Sequence, residues 1–245
     1  MDDGAAVPLF YQKRVPEVLV QNENLSEEFY DILEDENLDD VQQAKLEREF
    51  ATELEVIRRD DRLETIAKDI VTHFPRRGFL GKGLMVAVDK FTAVKMYDKV
   101  QLSWKQQIKD LMGRIAKAGD ALEKQRLKRR LDYMRNVEMA VVISEAAGEE
   151  QKFSERGLDI KPHRERMDRL DAHGHHIEYN FKDPQNALQL VFVCAMWLTG
   201  FDAPTLSTLY LDKPMYENTI SLFYEACKPE ILGSNRQPII SVFQY

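Results

Sequence analysis

The sequence predicts an α/β domain built on a parallel sheet that helices cover on both faces. Several short runs are almost wholly apolar, as in residues 190–195, LVFVCA. Strands of a parallel sheet read this way because both of their faces are buried. Between these runs lie longer segments whose apolar residues recur every three or four positions, the spacing of helices. Alternation of the two patterns predicts the α/β class.

Composition narrows the class of protein further. The chain has 245 residues, 44% of them hydrophobic, which is enough to fill a core. A formal net charge of -8 argues against a general DNA-coating protein. Cys194 and Cys227 stand outside any metal-ligand spacing, which favours a reducing compartment. Since the start shows no signal peptide and no apolar run is long enough to span a bilayer, we expect a soluble cytoplasmic protein.

The first third of the chain divides into two segments. Residues 1–23 form an opening strand segment, and the prolines Pro8 and Pro16 within it favour one or two short edge strands. Residues 24–75 form an acidic region with helical spacing, whose last helix ends near Pro75. The acids of this region lack the glycine turn of a calcium loop, so we expect them to be solvated.

The core of the domain is predicted over residues 76–245. It begins with a buried strand at residues 84–88, preceded by flexible glycines at Gly81 and Gly83, and followed by a helix. Residues 105–136 predict an insertion, either one long helix or a helical hairpin that turns near Gly119. The remaining elements predicted are strands at residues 139–144, 190–195, 206–211 and 238–243 and a helix at 162–170.

Three motifs could be ligand-binding sites, and each also has a purely structural explanation. RRGFLGKGL lacks the spacing of a Walker phosphate loop, and Gly83 stands where a magnesium-binding Ser or Thr is required. His173, His175 and His176 could face a zinc ion, but no helical spacing or cysteine supports them, so we expect a solvated loop. The basic segment LEKQRLKRRLDYMR could meet phosphates, but we favour a solvated helix face because acids are dense elsewhere in the chain.

The loop WLTGFDAP after the strand at residues 190–195 is the strongest candidate site. Loops at the carboxyl ends of parallel strands face ligands. Thr199 offers a hydroxyl, Gly200 permits close approach of the backbone, and Asp202 offers a carboxylate. From the residues alone, a purely structural turn remains the alternative.

Several stretches resemble the motor (R) subunit of type I restriction enzymes, a superfamily 2 translocase. CAMWLTGFDAPTLSTLYLDKPM resembles its motif V region, and GKGLMVAVDKFTAVKMYDKV together with IAKDIVTHF resembles its motif IV region. VPLFYQKR resembles the opening strand of its second RecA-like domain. ERGLDIKPHRERM and FKDPQNALQLVFV resemble the sequence that precedes motif V. The resemblance implies a RecA-like parallel sheet with helical insertions over most of residues 7–215.

The same resemblance assigns roles to four residues. Gly200 and Asp202 match motif V positions that approach the nucleotide and couple its site to the DNA track. Thr199 matches a position near nucleic acid, and Lys90 stands where the family contacts DNA phosphates. No catalytic residue and no metal ligand is implied within this chain.

The resemblance also implies cofactors and partners. The complete motor uses ATP and Mg²⁺, acts on double-stranded DNA, and works with a first RecA-like domain and with modification and specificity subunits. Because this chain has no Walker A or B motif and no nuclease domain, we expect no ATP hydrolysis or DNA cleavage from it alone. Where the family has Q-x-x-x-R-x-x-R, the chain reads SLFYEACKPEILGSNRQ, so a relic that serves only as a folded interaction module is the alternative.

Overall fold

The computed structural model describes residues 10–14, 40–77, 81–194, 196–197, 205–213 and 239–243. The strands in these ranges are β1 (Phe10–Arg14), β2 (Lys82–Ala87), β3 (Glu138–Val141), β4 (Leu188–Val193), β5 (Leu206–Asp212) and β6 (Ile239–Phe243). The helices are α1 (Asp40–Glu49), α2 (Ala51–Ile57), α3 (Asp60–His73), α4 (Lys90–Lys117), α5 (Ala121–Asn136), α6 (Glu149–Ser154), α7 (Lys161–Asp168) and α8 (Ile177–Lys182). A 3-10 turn, Phe74–Arg76, follows α3.

The six described strands form one sheet in the order β1-β6-β5-β2-β4-β3, and every neighbouring pair is parallel. The strand β2 lies at the centre, between β5 and β4. The first strand of the chain lies at an edge, as the prolines around it predicted. The predicted α/β class with a parallel sheet flanked by helices is therefore confirmed.

Side chains of the central strands point alternately to two cores. On one face, Met85, Phe192 and Tyr210 pack under α3, α4 and α5. On the other face, Leu84 and Val191 join a cluster that includes Ile177 and Phe181 of α8. Every residue of β2 and β5 is buried, which explains why apolar residues follow one another in residues 84–87 and 209–211 instead of alternating with polar ones.

The helices α4 and α5 form the predicted hairpin, and the chain turns at residues 118–120 beside Gly119. The carboxylate of Asp120 caps α5 by accepting a hydrogen bond from the Glu123 amide at 2.7 Å. Across the hairpin, the Trp104 indole donates to the Met134 carbonyl at 2.9 Å. The first arm runs without a break from Lys90, so the hairpin grows out of the helix after β2 rather than beginning near residue 105.

The glycines that precede and begin β2 are required by space rather than by flexibility, which corrects the sequence interpretation. Both are buried in the sheet. A Cβ atom at Gly83 would lie 2.4 Å from the Phe74 ring, and one at Gly81 would lie 2.0 Å from the Ser207 hydroxyl. The absence of a side chain lets the Phe74–Arg76 turn and β5 approach β2 closely.

Residues 145–187 hold more structure than the sequence predicted. The helix predicted at residues 162–170 is α7, but α6 and α8 were not predicted, because six residues are too few to show a helical period. The histidine segment is a loop, as expected. Its Asp171 carboxylate accepts hydrogen bonds from the amides of His173 and His175, and the His175 ring stacks on Tyr179.

Lys82 enters the sheet at its amino edge, which is the side where the parallel strands begin. Its ammonium donates to the carbonyl oxygens of Asn186 at 2.9 Å and Leu188 at 2.6 Å. Burial lowers the pKa of Lys82 from 10.5 to about 8, and Asp183 opposes that shift. The lysine of RRGFLGKGL is thus held inside the sheet and is not presented to a phosphate.

We expect Lys82 to make the domain more stable as the pH rises from about 8 toward 9.5. In this window the folded chain releases a proton that the unfolded chain, with an ordinary lysine pKa of 10.5, retains. The cost of burying the charge is fully present below pH 8 and is relieved above it. Urea denaturation of the wild type and of Lys82→Met at several pH values measures the difference.

The control for this titration is Lys105→Met, which removes an exposed ammonium from α4. It should keep the wild-type slope. Measurements stop at pH 9.5 because burial raises the pKa of Tyr97 and Tyr133, and these groups favour the unfolded state at higher pH. Equal slopes for the wild type and Lys82→Met would contradict the assignment.

Candidate functional site at the carboxyl edge of the sheet

The carboxyl ends of the parallel strands meet at one edge of the sheet, opposite Lys82. The register pairs Val86 of β2 with Val193 of β4 and with Leu211 of β5, so the residues after these strands are neighbours. Asp89 follows β2, and Asp212 ends β5. Loops at this edge of an open α/β sheet are where ligands bind in such folds.

Asp89 starts the helix α4 and holds the helices before β2. One carboxylate oxygen accepts a hydrogen bond from the Thr92 amide at 2.7 Å, which is an N-cap. The other oxygen accepts from Nε of Arg58 at 2.8 Å and from Nη2 of the same guanidinium. Arg58 also lies 3.4 Å from a Glu47 oxygen. Asp89 is fully buried, so its charge is balanced entirely within the protein.

Asp212 forms a second buried ion pair at the same edge. Its carboxylate accepts two hydrogen bonds from Arg62 of α3, at 2.5 and 3.2 Å, and neither residue is exposed to solvent. Arg62 also donates to the Ile57 carbonyl at 3.0 Å. The next residue, Lys213, donates to the Cys194 carbonyl at 3.0 Å, which ties the end of β5 to the end of β4.

A third ion pair closes the edge beyond β3. Arg164 of α7 uses Nε and Nη2 to bind both oxygens of Glu149, at 2.5 and 2.7 Å. Its guanidinium also donates to the carbonyls of Ile143 and Ser144, at 2.7 and 2.9 Å. These two carbonyls follow β3, so Arg164 satisfies the end of that strand.

Lys90, predicted to contact DNA, is the first residue of α4 and lies next to Asp89. It is only 7% exposed and lines a cavity of about 190 Å³. Glu47 and Glu149 line the same cavity. The position at the carboxyl edge agrees with the sequence interpretation, although Lys90 is recessed rather than displayed. Contact between Lys90 and DNA stays a prediction.

The loop that carries the other predicted residues begins on the face covered by α8. Trp197 stacks on Phe181 with ring centroids 5.6 Å apart. Its φ of 67° is the one positive value for a residue other than glycine in the described ranges. Such a conformation costs on the order of 1–2 kcal/mol and persists only where packing imposes it. Thr199, Gly200 and Asp202 lie outside the described residues, so their roles stay predictions.

An acidic surface lies beside the third ion pair. A cavity of about 1030 Å³ opens between α6 and α7. Its lining includes five carboxylates and only two cations, Lys161 and Arg164. The carboxylates are those of Glu145, Glu149, Glu150, Asp159 and Asp168. Phosphates are repelled by such a lining, so this part of the edge is unsuited to DNA.

In the described part of the edge, the charged side chains hold the ends of strands and helices in place. Asp89, Asp212 and Glu149 are all engaged with arginines, which leaves none of these three as a free base. No three His, Cys, Asp or Glu side chains in the described ranges group as metal ligands would. The helices in those ranges also include none with the length and apolar character needed to cross a bilayer.

Sequence reasoning did not identify the three ion pairs. Asp89 had a local signal, because an Asp directly after a buried strand and before a helical segment is typical of an N-cap. Asp212 had a weaker one, as an acid that ends an apolar run. Their arginine partners lie 31 and 150 residues away, and no local pattern marks a contact over that separation.

Comparison with known proteins agrees with this architecture. The family model described as type I restriction enzyme subunit R domain 3 matches residues 83–224. A putative type I restriction enzyme MjaIXP endonuclease subunit from Methanocaldococcus jannaschii is 30% identical over 220 residues, or 89% of this chain. The type I restriction enzyme HindI endonuclease subunit from Haemophilus influenzae is 27% identical over 221 residues, or 88% of this chain.

The alignment covers only a part of each relative. The chain spans 17% of the length of both endonuclease subunits. The matched range of the family model contains all of β2 except Lys82, the elements from α4 to β5, and the acids Asp89 and Asp212, whose partners Arg58 and Arg62 precede it. It also contains residues 198–204. The chain therefore belongs to the family of domain 3 of type I restriction enzyme R subunits.

Proposed function

We propose that this chain is the second RecA-like motor domain of an ATP-dependent DNA translocase within a type I restriction complex. In this role it supplies one wall of an ATP cleft and part of a DNA track. Gly200 and Asp202 approach the nucleotide, and Thr199 and Lys90 approach DNA. The modification and specificity subunits, and a first RecA-like domain, are its partners.

The observation that carries the proposal is the carboxyl edge of the parallel sheet. Central strands β2, β4 and β5 end there together, and buried ion pairs at Asp89 and Asp212 fix the ends of two of them. The residue that begins the Thr199 loop, Trp197, has a constrained backbone. A rigid edge that presents a loop is the arrangement that nucleotide-dependent α/β proteins use for ligands.

ATP and Mg²⁺ enter this proposal through a partner domain. Phosphate binding in such motors needs a glycine-rich loop with a free lysine and a hydroxyl for the metal ion. The lysine of RRGFLGKGL donates to carbonyls inside the sheet, so it does not fill that role. The first RecA-like domain would hold the phosphates, and Asp202 would couple that site to the track.

The test combines the purified chain with a separate polypeptide that carries the first RecA-like domain. DNA-stimulated ATP hydrolysis is measured for the mixture and for each piece alone. We expect hydrolysis only in the mixture, and we expect Asp202→Asn to lower it at least tenfold. Asp132→Asn, an exposed change on α5, should behave as the wild type.

One outcome of this experiment would refute the motor proposal. If both pieces are folded and bind each other, yet DNA stimulates no hydrolysis, the motor proposal fails. The interaction-module alternative would then stand, and the divergent SLFYEACKPEILGSNRQ segment would be the reason. Loss of an arginine clamp from a phosphoryl-transfer site costs about three to five orders of magnitude in rate.

A further inference from the structure

The arginines near the two edges of the sheet have different hydrogen-bond acceptors. At the carboxyl edge, Arg58, Arg62 and Arg164 each face a carboxylate. Near the amino edge, the guanidinium of Arg77 donates to neutral oxygens, faces the Tyr133 hydroxyl and lies 3.5 Å from the centre of the Phe74 ring. These oxygens are the carbonyls of Phe74 and Gly81 and the hydroxyls of Ser207 and Thr208. Neutral acceptors thus stabilise the charge of Arg77, and no carboxylate among the described residues pairs with it.

The seam between the Phe74–Arg76 turn and α5 contains Arg130, an arginine with fewer hydrogen-bond acceptors than Arg77. Nε and Nη2 of Arg130 are buried and have no hydrogen-bond partner within the described part of the chain. The Tyr133 hydroxyl, one turn further along α5, is also buried; its oxygen faces the Arg77 guanidinium, and its proton finds no acceptor among the described residues. Buried polar groups are nearly always satisfied in folded proteins, so these donors indicate a missing acceptor.

The orphaned atoms are a matched pair. Nε and Nη2 form the side of a guanidinium that binds two oxygens at once. Arg164 uses the same two atoms to hold both oxygens of Glu149. In Arg130 the same two atoms, Nε and Nη2, have no carboxylate bound to them. The acceptor that fits this edge is an oxyanion with two oxygens side by side.

The surroundings of Arg130 select an anion over a neutral group. Its pKa is lowered by burial first, and then by the positive charges of Arg76 and Arg114. Arg126 lies one helical turn before Arg130 on the same flank of α5. A half-buried guanidinium whose Nε and Nη2 are shut off from water, and which neighbouring cations repel, is costly unless an anion joins it. Several arginines around one point suit a group that carries more than one negative charge.

We propose that the seam around Arg130, with Arg76, Arg126 and Tyr133, is an oxyanion site that takes a phosphate group. The site lies near the amino edge of the sheet, opposite the edge that holds Asp89 and Asp212, and does not depend on the motor proposal. The phosphate belongs either to a nucleic-acid backbone or to a free phosphate compound, which share the same oxyanion chemistry.

The test follows the melting temperature of the 245-residue chain in phosphate and in chloride at equal pH and ionic strength. At a phosphate concentration tenfold above its dissociation constant, we expect the wild type to melt about 3–5 °C higher than in chloride. Arg130→Met should lose this response and should melt no lower than the wild type in chloride, because it removes an unpaired charge. Lys128→Met, which removes an exposed cation from another flank of α5, should respond as the wild type.

Two further measurements make the outcome decisive. Arg130→Lys keeps the charge without the two-donor edge and should lose most of the response, so the test survives if Arg130→Met does not fold. Calorimetry of the wild type with inorganic phosphate should show saturable heat. Equal melting temperatures of the wild type in the two salts, or a full response in Arg130→Met, would overturn the proposal.

A second arm identifies the source of the phosphate. Binding of a 20-base-pair duplex is measured for Arg130→Met, Arg126→Met and Lys128→Met. If the first two weaken binding at least fivefold more than the third, the phosphate is that of a nucleic-acid backbone. If only the response to inorganic phosphate changes, it is that of a free compound. Stronger protection by poly-glutamate than by phosphate would overturn the phosphate assignment in favour of an acidic protein.

Discussion

Asp212→Asn is expected to lower the free energy of unfolding by about 3–5 kcal/mol, because it removes the carboxylate that pairs with the buried charge of Arg62. Both side chains are inaccessible to solvent, so water cannot replace the lost carboxylate. The asparagine is nearly isosteric, and the effect therefore reports charge rather than packing. Urea denaturation of the purified chain measures it.

The double variant Arg62→Met/Asp212→Leu separates the value of the pair from the cost of breaking it. Apolar replacement of a whole buried pair is often close to neutral. We expect the double variant to recover most of the stability lost in Asp212→Asn. Recovery should be incomplete, because Arg62 also donates to the Ile57 carbonyl, which would lose its donor.

An exposed pair provides the matched control for this experiment. Asp60 accepts from Lys99 and Lys95 at the surface, and its carboxylate side chain is 66% exposed. Asp60→Asn makes the same chemical change and should cost less than about 1 kcal/mol. A loss for Asp212→Asn no larger than that for Asp60→Asn would show that the Arg62 pair carries no special cost.

The elements that the sequence predicted well are those with long or strong local patterns. The strand β4 is apolar at every position except Gln189, and α4 and α5 repeat their apolar positions over several turns. Both patterns arise from burial on the sheet, so the fold class follows from them. The short helices α6 and α8 escaped because six residues complete fewer than two turns.

The location of the candidate site could be predicted from the sequence, but the side chains that meet there could not. Parallel strands end at one edge whatever their sequence, so topology alone directs attention there. Arg62 and Asp212 meet only because α3 packs beside β5, and that contact depends on the whole fold. The orphaned guanidinium of Arg130 was visible in sequence only as one cation among many in LEKQRLKRRLDYMR. Its burial distinguishes it from the solvated cations around it.

Asp89→Ala is expected to lower the free energy of unfolding by about 2–4 kcal/mol. It removes the N-cap of α4, worth about 1 kcal/mol, and the charged hydrogen bonds from Arg58, worth about 1.5–3 kcal/mol. Asp89→Asn keeps an oxygen that can accept from the Thr92 amide, so it should lose only the charged part. The difference between the two variants, measured in urea, is the contribution of the cap.

Arg58→Met completes the set, because it leaves the buried carboxylate with the helix terminus as its only compensation. The positive end of a helix favours an anion at its N-terminus by roughly 0.3–1 kcal/mol, which is less than a paired guanidinium provides. We therefore expect Arg58→Met to lower the free energy of unfolding more than Asp89→Asn does, because Asp89→Asn leaves no buried carboxylate. Equal losses for Asp89→Asn and Asp89→Ala would instead mean that the cap contributes nothing. Lys90 is the next residue, so a helix start fixed by this cap is also what would hold Lys90 in its cavity for any contact with DNA.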